Sequence, residues 1–235
     1  MHGDNLNPFI ELLAYHFAES TERPKAIHYL GAAGAKARDM FNNKDALTFY
    51  ERGLEFVGRI DDPDHDDHLE ILTGLGDVYA VLGQYDDGIE AINSAMGIAD
   101  APMQTAVFQR KLGSIYQQSG DWDAATERFD AALTVLGGLN GADETRVETA
   151  RVQDMKGFIS YSRGDFADAD EKCRAALALV EDLQALDVQC SIFKNLGNIN
   201  LRLGQADDAL GFYTQGIDFA DRVGDKMLQS QLYNN

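Results

Sequence analysis

Four pairs of glycines, each pair seven residues apart, constrain this chain more than any other feature: Gly76/Gly83, Gly113/Gly120, Gly157/Gly164 and Gly197/Gly204. Twelve residues beyond each second glycine stands another small residue, Ala95, Ala132, Ala176 or Gly216. Successive copies start 37, 44 and 40 residues apart. A unit of fixed internal length is therefore joined by connections of varying length. Self-similarity on this scale is the mark of a repeat architecture.

The periodicity inside each unit is helical. Leu112, Ile115, Tyr116 and Ser119 follow the i, i+3, i+4, i+7 spacing of one helix face. Gly120-Asp121-Trp122 then breaks the helix with a glycine, the residue that adopts a left-handed cap at least cost. Ala125, Phe129, Ala132 and Leu133 mark one face of a second helix. The same order surrounds Gly83-Gln84-Tyr85, Gly164-Asp165-Phe166 and Gly204-Gln205-Ala206. Each unit thus reads as helix, tight turn and antiparallel helix. The first glycine of each pair falls mid-helix, where it costs about 1 kcal/mol relative to alanine. That cost is tolerable where another helix crosses closely, with Ala125, Ala169 and Ala209 expected to supply the matching small surface.

Leu75-Gly76-Asp77-Val78-Tyr79 followed by Gly88, Ile92 and Ala95, and Leu112-Gly113-Ser114-Ile115-Tyr116 followed by Ala125, Phe129 and Ala132, resemble the tetratricopeptide repeat. Lys156-Gly157 with Ala169, Cys173 and Ala176, and Leu196-Gly197 with Ala209, Tyr213 and Gly216, continue the pattern. A looser unit has Ala33-Gly34, then Ala46, Tyr50 and Gly53. The resemblance implies an all-α fold, a right-handed α-solenoid of about five helical hairpins. The units exceed the usual ~34 residues and lack the closing proline, as in the subgroup of about 42 residues found in signalling scaffolds. The expected organisation is a leading helix over 1–22, a degenerate hairpin over 23–60, four units over 66–222 and the start of another repeat over 226–235. Tyr233-Asn234-Asn235 repeats Phe193-Lys194-Asn195 forty residues on, so a longer parent protein is expected. Residues 8–60 resemble segments that follow the ATPase module in multidomain signalling proteins.

Thirty-nine acidic residues against twenty basic ones give a formal charge of −19. Such an excess repels phosphate backbones and anionic lipid, so nucleic acid and membrane are not expected partners. Cys173 and Cys190 form no metal-like pair and read as buried, reduced thiols of a cytoplasmic protein. The run Asp61–His68 combines carboxylates with two histidines but lacks the glycine and glutamate of a calcium loop. It reads as a solvated connector, with Asp66 or Asp67 at a helix N-terminus. Gly31–Lys36 lacks the spacing of a phosphate loop, and Gly137–Gly141 reads as a link between units. Ser160, His28 and the carboxylates form no base–nucleophile set, so no catalytic residue, cofactor or metal is expected.

In this architecture the first helices line a groove. Asp77, then Arg110, Ser114 and Gln117, then Asp154, Phe158 and Tyr161, then Lys194, Asn198 and Arg202 fall on or beside the stripe opposite the apolar one. An aromatic pair on a wet face suggests contact with a peptide or helix, unless Lys156 and Phe158 exchange roles. Lys194 with Asn198 resembles one step of a clamp for C-terminal carboxylates, but the other units lack its basic residues. The expected function is a protein-binding scaffold and not an enzyme, with a peptide-gated regulatory domain as the alternative.

Overall fold

The structure, a computed structural model, describes residues 7–223. The repeat start expected over 226–235 therefore lies outside the described residues. Among the described residues every regular element is helical. The chain divides into two compact units, residues 1–104 with 118–120, and residues 105–117 with 121–235.

The first unit holds α1 (Ile10–Ala18), α2 (Arg23–Asp39), α3 (Asn43–Val57), α4 (His65–Val81) and α5 (Tyr85–Ile98). Its core gathers Leu30, Tyr50, Ile71 and Val78. The second unit is built on α6 (Pro102–Ser119), α7 (Trp122–Gly137), α8 (Asp143–Ser162), α9 (Phe166–Val180), α10 (Leu186–Arg202) and α11 (Ala206–Val223). Val180, Ile192, Leu196 and Ile199 centre its core, in which Cys173 is also buried. Both cysteines are free thiols.

One corner recurs five times. The N–H of Asn42, Gln84, Asp121, Asp165 and Gln205 donates to the carbonyl five residues earlier, on Ala37, Tyr79, Tyr116, Ser160 and Asn200. This is the six-to-one bond of a Schellman cap, which needs the intervening residue in the left-handed region. Gly83, Gly120, Gly164 and Gly204 occupy that place with φ between 75° and 88°. The same residues that finish one helix begin the next. Asn42, Asp121 and Asp165 each accept a bond from the backbone N–H three residues on. An N-cap of this kind is worth about 1 kcal/mol.

The looser first hairpin departs from the pattern at one residue. Phe41 stands where the others have glycine and holds φ at 58°. Its ring is 81% exposed, so it recovers little by burial. Phe41→Gly is expected to raise the unfolding free energy by about 1 kcal/mol, the left-handed cost of a side chain. Urea denaturation measures it, and an unchanged or lower midpoint would show that the corner is unstrained.

The mid-helix glycines lie at helix crossings, but not against the small residues expected. A Cβ built on Gly76, Gly113, Gly157 or Gly197 would stand 2.3–2.6 Å from Ile92, Phe129, Cys173 or Tyr213 respectively. Each partner lies sixteen residues on, in the second helix, and each is buried. Gly34 and Tyr50 repeat the arrangement at 2.6 Å. The glycine thus makes room for a larger side chain of the second helix. The expected Ala169 contributes only its backbone carbonyl, 3.4 Å from the Gly157 position.

Candidate functional site

In the second unit the first helices α6, α8 and α10 are joined side by side through polar contacts. Arg110 pairs with Glu148, and Ser114 Oγ lies 3.5 Å from Met155 Sδ, linking α6 to α8. Arg151 reaches Asp187 at 2.9 Å, and Arg202 Nε donates to the Tyr161 hydroxyl at 3.2 Å, linking α8 to α10. These contacts set the face on which most of the sequence-derived stripe falls.

The stripe is only partly open. Phe158 is 39% exposed, and Leu201, the next repeat's counterpart of Tyr161, is 50% exposed. Tyr161 is half-buried, its ring tilted against Phe166 at 5.6 Å. Phe158 and Lys156 do not exchange roles, since Lys156 instead donates to Asp130 of α7. Arg110, Ser114 and Gln117 are half-buried. Asn198 accepts a 2.7 Å bond from the Tyr213 hydroxyl, which fixes the amide against α11. Asp77, in the first unit, sits 3.6 Å from Arg38.

Asp154 corrects the sequence reading. Expected on the wet stripe, it is 4% exposed. Ser191 Oγ donates to one carboxylate oxygen at 2.7 Å and Asn195 Nδ2 to the other at 2.8 Å, while Cys173 Sγ lies 3.6 Å away. The donors on α10 draw the carboxylate inward. Burial nevertheless outweighs these bonds and the nearby Lys194 charge, and holds the carboxyl above its ordinary pKa. Sequence periodicity missed Ser191 and Asn195, and it missed Arg151. Arg151 was within reach, because it extends the stripe one turn toward the start of α8.

Elsewhere the polar residues settle into structural tasks. Asp64 caps α4 through the N–H groups of Asp66 and Asp67, and Asp67 Oδ1 lies 2.9 Å from His28 Nδ1. Among the described residues no group of three or more His, Cys, Asp or Glu is placed to hold a metal ion. Ser160 donates to Asp168, whose carboxyl is held below its ordinary pKa chiefly by Lys172, so it is a weak base for that hydroxyl. No helix among the described residues is long and apolar enough to cross a membrane.

Stacked helical hairpins with capped glycine corners and a partly apolar first-helix face define an α-solenoid repeat protein. A tetratricopeptide repeat model matches residues 110–141. No curated protein matches by sequence. Among solved structures, the Rap conjugation gene regulator of plasmid pLS20, seen with the Phr* peptide, aligns at a TM-score of 0.76 and 18% identity, over 92% of this chain and 59% of that one. The quorum sensor NprR from B. thuringiensis aligns at 0.76 and 18%, over 97% and 62%, and NprR has also been seen with its cognate peptide NprX. A thermophilic TPR protein of Thermus thermophilus aligns at 0.60 and 19%, over 89% and 98%. The chain therefore spans about three-fifths of the Rap and NprR chains. These likenesses show a helical-repeat fold, with a tetratricopeptide repeat match over residues 110–141.

Proposed function

We propose that the first-helix face of the second unit docks a peptide or helix of a partner protein, making the chain an interaction scaffold and not an enzyme. The observation that carries this reading is the exposure of Phe158 and Leu201 beside Tyr161 on a face otherwise organised by ion pairs. An apolar patch rimmed by polar residues is the form a contact surface takes. Structural neighbours solved with peptides support the same use of the fold.

The test compares the full chain with a Phe158→Asp/Leu201→Asp variant as baits in the native lysate. A partner retained by the parent and lost by the variant is the expected result. Equal recovery by both, or recovery of nothing, counts against the reading. A regulatory version, in which a peptide shifts one repeat against the next, would act on the bonds of Asp154 to Ser191 and Asn195. Such a shift would have to break them. It requires a parent protein with an attached output domain, and it expects one peptide class to raise the melting temperature strongly.

A further inference from the structure

Charge is segregated within the second unit against the sense of the whole chain. The second helices carry three acidic residues in α7, three in α9 and four in α11, against Arg128, Lys172, Arg174 and Arg222. The first helices differ. α6 has no acidic residue, and α10 has Asp187 alone, in its first turn. In α8, Asp143 and Glu144 belong to the first turn, while Glu148 and Asp154 are buried. Among the described residues the middle of this face therefore presents no exposed carboxylate, on a protein of net charge −19.

Two of its cations are left for something else. Arg110 and Arg151 are neutralised by Glu148 and Asp187. Lys194, by contrast, forms no ion pair among the described residues, being near the buried Asp154 but not bonded to it. Arg202 likewise forms no ion pair among the described residues and donates to the neutral hydroxyl of Tyr161. The two stand eight residues apart on α10, about 12 Å along the helix. Leu201 precedes Arg202 in the chain, Tyr161 reaches Arg202 from α8, and Phe158 stands exposed on that same helix.

We infer that the segment docking on this face is acidic, with a bulky apolar residue seated at Phe158 and Leu201 and carboxylate side chains meeting Lys194 and Arg202. This rests on the docking reading above and names the chemistry of its ligand. Short-range pairing at these cations selects sign, because the overall negative field is screened within about 8 Å at physiological salt. A basic segment would gain from the distant acids of the second helices but would set like charges against Lys194 and Arg202.

The experiment uses the full chain and three labelled peptides, amidated at the C-terminus so that only side chains differ. All share the same Leu and Phe positions, and the remaining positions are Glu, Gln or Lys. Fluorescence anisotropy is expected to show the Glu peptide binding at least about tenfold tighter than the Gln peptide, with the Lys peptide weakest. Lys194→Glu/Arg202→Glu is expected to reverse that order. The reversal keeps the test independent of stability, since a misfolded variant would bind neither. Equal or tighter binding of the Lys peptide by the parent chain would overturn the acidic assignment and leave docking intact. So would failure of all three to bind up to about 1 mM, if the lysate partner is still lost on Phe158→Asp/Leu201→Asp. Failure of both experiments removes the docking reading itself.

Discussion

Gly113→Ala is expected to lower the unfolding free energy by roughly 1–2 kcal/mol, although alanine is the better helix former. The new Cβ would stand 2.4 Å and 2.6 Å from ring carbons of Phe129. That ring is fully buried, so relieving the overlap must displace its packed neighbours. Phe129→Ala removes the clash but leaves a cavity, at an expected cost of about 3–5 kcal/mol. Combining Gly113→Ala with Phe129→Leu should cost less than the two single changes together, because each makes room for the other. Gly211→Ala is the control. It is helical and exposed, with nothing within 4 Å of its Cβ position, so it should stabilise the protein by up to about 1 kcal/mol. Urea unfolding of these variants measures all of this. A Gly113→Ala protein as stable as the Gly211→Ala one would show that the crossing is loose.

Asp154→Asn should stabilise the protein at neutral pH, by about 1–3 kcal/mol. The amide keeps an acceptor for Asn195 and can exchange a bond with Ser191, but it carries no charge to bury. The sign of the pH dependence follows from the direction of the shift. The folded carboxyl holds its proton more tightly than the unfolded one, because burial raises its pKa. Its favourable contribution is thus complete below the unfolded value and is lost as pH rises through the folded one. The melting-temperature gap between variant and parent should widen as pH rises through the raised folded value and close as pH falls toward the ordinary carboxylate range. A gap independent of pH, or a less stable variant, would mean that the hydrogen bonds outweigh desolvation.

These two sites also show which features the sequence made legible. The hairpins could be read directly, because each needs only local signals: a glycine that tolerates a left-handed corner, a capping side chain and a 3.6-residue apolar rhythm. The crossings were half legible. Glycine announced a close approach, but the alanines drew attention from the residue that occupies the space, sixteen positions on. Phe41 was not legible as a corner, since nothing local distinguishes it from a core aromatic. Asp154 was misplaced for a different reason. A charged residue on a helix defaults to solvent, and only donors 37 and 41 residues away, Ser191 and Asn195, reverse that default. Most of the stripe could be listed from periodicity. Its openness could not, because partners such as Glu148 and Tyr213 come from neighbouring helices.

The corner shared by two helices has a consequence for how such chains change length. At Asp121 and Asp165 a single residue closes the helix behind it with its amide and opens the helix ahead with its carboxylate. An insertion there would unlatch both arms of a hairpin together. The links over residues 58–64, 138–142 and 181–185 perform no such double duty. Drift in repeat length should therefore collect away from the corners: the links over 138–142 and 181–185 are equally long, and the 44- and 40-residue spacings differ instead through the longer α7 and α8.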